Sequence, residues 1–137
     1  MRRLVLAAGL AATLAMPAAA QRAGVYDVTG TNLDGTAYTG IAQIRPAGLS
    51  SFLIVWRMGN QLVEGVGFAS GRTIAVAYGL AQRPGIGIYT LNPDGSMDGE
   101  WTIVGAPGNA RERLVPRPEA APATPPAAEP AAPATPR

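Results

Sequence analysis

Turn chemistry recurs along the middle of this chain about every ten residues, and that spacing constrains the fold more than any other feature. Sixteen of the seventeen glycines fall between residues 22 and 116, where hardly any stretch repeats its apolar side chains at a helical period. Between the turns apolar and polar residues alternate, the pattern of half-buried strands. The stretch 52–79, FLIVWRMGNQLVEGVGFASGRTIAVAYG, shows it best. Phe52, Ile54 and Trp56 alternate with Leu53, Val55 and Arg57 in a run too short and too β-branched for a helix. Met58-Gly59-Asn60-Gln61 and Ser70-Gly71 then supply residues that tolerate hairpin turns.

Carried along the chain, the same reading predicts eight strands. The first runs from Gly24 to Thr31 and is closed by Asn32-Leu33-Asp34-Gly35. The second, Ala37 to Arg45, places Tyr38, Gly40, Ala42 and Ile44 on one face. Phe52 to Arg57, Leu62 to Ala69 and Thr73 to Tyr78 follow, then Ile86 to Leu91. Asn92-Pro93-Asp94-Gly95 is the strongest turn signal: Pro fixes φ at the second position, and Gly takes the left-handed one after a type I turn. Ser96 to Val104 puts Met97, Gly99, Trp101 and Ile103 together, and Arg111 to Val115 closes the series with alternating charges. Such a meander predicts an all-β, eight-stranded antiparallel up-and-down barrel, whose closure removes exposed edges; a two-sheet sandwich is the alternative. The two DG turns, at Asp34 and Asp94, stand 60 residues apart with unlike sequence between them. They read as one hairpin chemistry used twice, not as a solenoid repeat.

Both ends of the 137-residue chain have a different composition. Met1-Arg2-Arg3, an apolar run from Leu4 to Met16, and Pro17 to Ala20 with small residues at its end read as a signal peptide over 1–20. The apolar run is too short to span a bilayer core, which needs roughly 20 residues. The expectation is a periplasmic or secreted protein with no membrane span once the leader is removed. Loss of Arg2 and Arg3 leaves nine Arg against nine carboxylates, which takes away the electrostatic case for a nucleic-acid partner. Residues 117–137 form a Pro/Ala-rich tail that cannot bury apolar side chains and is expected to be disordered.

The order GVYDVTGTNLDGTAYTG, a strand ending in Trp56, EGVGF, AVAYG, IYTLNPDGSMDGEWTI and a closing Glu112-Arg113-Leu114 resembles a group of small exported proteobacterial proteins of unassigned function. Some of them are labelled fibronectin-binding-like. The resemblance covers about 22–116 and contains no catalytic signature. Members of the group often carry a Cys pair on the third and fourth strands; this chain has no Cys, so no role of that pair carries over. At the level of layout alone, the chain is also similar to avidin- and lipocalin-like barrels.

The absence of His and Cys excludes Ser-His and Cys-His nucleophile pairs, His/Cys zinc sites and thiol redox chemistry. No cofactor, no metal and no enzymatic activity are expected. Asp94, Asp98 and Glu100 lie close in sequence, but Asp94 serves its turn, and Asp98 and Glu100 fall on the face opposite Trp101. Glu64 leaves two readings open. It shares a face with Leu62, Val66 and Phe68, and were that face interior, a carboxylate would point into the barrel near Trp56 and need an Arg or a ligand. Alternatively Gly65 and Gly67 mark the inward face, and Glu64 lies in water. The candidate ligand-binding residues are Trp56, Glu64, Tyr38, Tyr78 and Trp101, aromatic side chains that would otherwise serve as core. The expected function is an exported, monomeric binding module for a small ligand or for an envelope or extracellular protein. The alternatives are an envelope accessory domain without a pocket and, behind it, a carboxylate-dependent hydrolase.

Overall fold

The computed structural model describes residues 23–118, so the expected leader over 1–20 and nearly all of the expected tail over 117–137 lie outside the described residues. Eight strands run in chain order: β1 Gly24–Thr31, β2 Ala37–Pro46, β3 Ser51–Met58, β4 Gln61–Ser70, β5 Thr73–Tyr78, β6 Gly85–Leu91, β7 Met97–Ile103 and β8 Ala110–Pro116. Each pairs antiparallel with the next, and β8 returns to β1 through Tyr26↔Pro116 to Gly30↔Glu112. The sheet is therefore a closed up-and-down barrel and not a sandwich, with no unpaired edge among these strands. The described residues contain no helix long and apolar enough to cross a membrane.

The two DG turns share one set of bonds. In each, the Asp Oδ1 accepts from the backbone N–H and the hydroxyl of the residue two positions on, Thr36 or Ser96. In each, the Asn amide donates to that same hydroxyl, from Asn32 at 2.9 Å and from Asn92 at 3.1 Å. Gly35 and Gly95 both take φ +85°, a left-handed conformation that side chains with a Cβ resist.

Strict alternation divides inside from outside. Tyr26, Ile44, Phe52, Ile74, Leu91, Met97 and Leu114 fill the end of the barrel that holds the β2–β3, β4–β5 and β6–β7 turns. On β4 the inward positions are Gly65 and Gly67, and Leu62, Glu64, Val66 and Phe68 face outward. The reading with the apolar face of β4 turned inward is thereby overturned. Interior space explains why: a Cβ on Gly67 would land in the Phe52 ring, and one on Gly65 would come within 3.1 Å of Trp56 Cζ3. Wide aromatic rings from β3 occupy the volume that side chains on β4 would need.

Candidate functional site

The other end of the barrel, bounded by the β1–β2, β3–β4, β5–β6 and β7–β8 turns, is organised around a carboxylate. Glu112 lies on β8 between Ala110 and Leu114, all three on the inward face. It is only 7% exposed. Both of its cross-strand partners are glycines, Gly30 on β1 and Gly99 on β7. The strands one step further out carry tyrosines in the same register, Tyr38 opposite Gly30 and Tyr89 opposite Gly99. One row across five strands thus reads Tyr38, Gly30, Glu112, Gly99, Tyr89.

The missing side chains let both rings lie flat across the sheet and reach the carboxylate. A Cβ on Gly30 would stand 2.6 Å from the Tyr38 Cζ and hydroxyl, and one on Gly99 would collide with Tyr89 Cδ1 and the Ile88 carbonyl. Tyr38 donates its hydroxyl to Glu112 Oε2 at 2.6 Å, and Tyr89 donates to Oε1 at 2.8 Å. From β3, Trp56 donates its indole N–H to Oε1 at 3.1 Å.

These contacts oppose one another energetically. Burial pushes the Glu112 carboxyl above its ordinary value of 4.5, and the hydrogen bonds from Tyr38, Tyr89 and Trp56 pull it back only in part. The tyrosines are driven further from ionisation. Burial raises Tyr38 and Tyr89, and the adjacent Glu112 charge adds to the shift. Tyr78, raised first by burial and then by Glu112, is pushed up to about 12. All three hydroxyls stay protonated near neutrality and act as donors.

Above Glu112 lies a cavity of about 310 Å³. Its walls are Tyr38, Trp56, Tyr78, Tyr89 and Trp101 with Met58, Val63 and Ile103, and Asn32 and Gln61 border it beside the β1–β2 and β3–β4 turns. Trp56 and Tyr78 meet edge to face at 5.6 Å and 64°, and Tyr78 meets Trp101 at 6.4 Å and 72°. Tyr78 donates its hydroxyl to the Thr102 carbonyl at 3.1 Å. The Trp101 indole N–H lies near the Tyr38 hydroxyl and lowers the Tyr38 pKa against the larger rise from burial and Glu112. No hydrogen bond of acceptable geometry joins them, and Trp101 Nε1 is buried without an acceptor among the described residues.

The structure brings together four of the five residues singled out from the sequence: Tyr38, Trp56, Tyr78 and Trp101. Glu64 is elsewhere. It is exposed on the outer wall, in a hollow of about 930 Å³ between β3, β4 and the β5–β6 loop. The interior carboxylate is Glu112, which sequence reasoning placed only in a closing motif, and Tyr89 joins it. The available signal was parity: with Leu114 inward on a short strand, Glu112 must be inward too. Asp98 and Glu100 are exposed and face Arg113 and Arg111. No group of three or more His, Cys, Asp or Glu among the described residues could hold a metal ion.

Solved structures similar to this chain include designed barrels. A redesigned β-barrel, b11L5F_LGL, is 20% identical with a TM-score of 0.57, covering 74% of this chain and 96% of its own. The redesigned barrel mFAP1, bound to DFHBI, is 20% identical with a TM-score of 0.54, covering 69% and 94%. A fluorescence-activating β-barrel designed de novo is 17% identical with a TM-score of 0.54, covering 74% and 100%. At these identities the likeness shows the fold alone. No protein-family model and no curated protein matches the chain.

Proposed function

We propose that the protein is a non-enzymatic binding module that takes a small ligand into the cavity above Glu112. The observation that carries this is the combination of aromatic walls around a cavity with a buried carboxylate and a buried indole N–H that has no acceptor among the described residues. Ligand sites are concave, mostly apolar, and contain a few converging polar groups. Eight-stranded barrels have interiors just wide enough to be filled by side chains or to hold one small ligand. Two designed barrels of the same fold are bound to DFHBI, so a barrel of this architecture is compatible with holding a ligand. An accessory domain with a completely filled interior would leave these groups without a use. A hydrolytic pair lacks support, since the other carboxylates near Trp101 in sequence are on the outer wall. Export, on the strength of the leader over 1–20, makes the ligand one met in the periplasm or the medium.

Titration with prodan, a neutral environment-sensitive naphthalene, tests the reading. Saturable, blue-shifted emission with quenching of tryptophan fluorescence is expected. Val63→Phe, which projects a ring into the cavity, should weaken binding at least tenfold while cooperative unfolding persists. Unchanged binding by that variant, or no binding by the wild type, contradicts the proposal.

A further inference from the structure

Glu112 is a buried carboxylate that no cation among the described residues faces. The chain has no Lys or His, and all seven arginines among the described residues are exposed. Its own strand neighbours, Arg111 and Arg113, turn to the outer wall, toward Glu100 and Asp98. Three neutral donors stabilise the charge without cancelling it, and a buried, unpaired ion is costly. A carboxylate offers about four lone-pair positions. Trp56 and Tyr89 use two on Oε1 and Tyr38 uses one on Oε2, which leaves a position open on Oε2.

The surroundings of that position match a cation. Trp56, Tyr78 and Trp101 line the cavity with successive ring planes turned by 64° and 72°, so its aromatic wall is not a single stacking slot. Desolvated cations are favoured beside such rings, above all beside Trp. The second unmatched group, Trp101 Nε1–H, calls for an acceptor.

We propose that the cavity's ligand is a small organic ammonium ion, whose N–H donates to Glu112 Oε2 while an acceptor atom on the same molecule takes the Trp101 indole N–H. This rests on the cavity being a ligand site. Charge then sets the selectivity: an anion would meet the Glu112 charge at close range, and a neutral molecule would leave that charge uncancelled. The volume of about 310 Å³ suits a ligand of one ring, of two fused rings, or a short chain.

The test compares two nearly isosteric probes by calorimetry on the purified protein: 2-phenoxyethylamine, cationic at pH 7 with an ether acceptor, and neutral 2-phenoxyethanol. The amine is expected to bind roughly tenfold or more tightly than the alcohol, as a charge-assisted hydrogen bond implies. Glu112→Gln should reduce that preference to about twofold or less, and the amine should move the Trp101 indole N–H resonance. Equal affinity of the two probes for the wild type overturns the ammonium assignment and leaves the cavity as a ligand site. Binding of prodan but of neither probe has the same consequence. If prodan also fails to bind, the ligand site itself is wrong and the ammonium assignment falls with it. Should Glu112→Gln not fold, the wild-type comparison alone decides.

Discussion

The two ends of one barrel solve the problem of a narrow interior in opposite ways. At the end with the β2–β3, β4–β5 and β6–β7 turns, aliphatic and aromatic side chains fill the space, and Ile44, Phe52, Ile74, Met97 and Leu114 are each at most 2% exposed. At the other end the rings meet edge to face, a carboxylate takes the place of an aliphatic residue, and about 310 Å³ is left open. The same strands build both halves, so the contrast is one of side chains and not of backbone. The packed half contributes the stability that lets the other hold a buried charge and an unmatched indole, groups that a chain optimised for stability alone would exchange for hydrocarbon.

Truncation in the packed half should have the largest effect. Phe52→Ala is expected to cost about 3–5 kcal/mol in denaturant unfolding, because the ring covering Gly67 leaves a void that the sheet cannot collapse to fill. A loss below about 1 kcal/mol would erase the distinction between the halves. Gly99→Ala probes the open half through its backbone: with Tyr89 and the Ile88 carbonyl in the way, it should destabilise by about 1–3 kcal/mol and disturb the Tyr89 bond to Glu112. Gly59→Ala is not a suitable control because of its positive φ, whereas Gly108→Ala has open space and should be nearly silent.

The halves should also differ in their response to pH. Glu112 has its folded pKa raised above 4.5, so the folded state binds its proton more readily than the unfolded chain does. Its contribution to stability therefore increases as pH falls through that raised value towards 4.5 and is level below it. Asp34, Asp94 and Asp98 are held below 3.8, by bonds to Thr36, Ser96 and Arg113 respectively. What they contribute is present above 3.8 and is lost as pH falls further. Stability measured against pH should thus slope downward with rising pH just above 4.5, and Glu112→Gln should flatten that window without altering the loss at lower pH. The smallest effect belongs to Glu64→Gln, which should change neither unfolding, within about 0.5 kcal/mol, nor prodan binding, because Glu64 is exposed on the outer wall.

The fold was largely legible because its signals are local. Turn residues at Asn32–Gly35 and Asn92–Gly95, and alternation through Phe52, Ile54 and Trp56, each act within a few residues, and closure follows once eight short-linked strands are counted. Four cavity residues were legible for the same reason, as large aromatics on faces already marked inward. Glu112 was not, because its role depends on cross-strand pairing. Gly30 and Gly99 precede it by 82 and 13 residues, and nothing local shows that they flank it or that Tyr38 and Tyr89 lie over them. β4 misled for the converse reason. Its outer face is the more apolar one, with Leu62, Val66 and Phe68 each about half exposed, so hydrophobicity alone left its orientation open.

The open half depends on Glu112 sitting inside the closed barrel, held by Tyr38, Trp56 and Tyr89. Carbon-13 NMR titration of its side-chain carboxyl measures this directly. A midpoint above 4.5 and a concerted shift of the Trp56 indole N–H over the same pH range are expected. A Glu112 carboxyl that titrates at or below 4.5, with the Trp56 indole unresponsive, would contradict it.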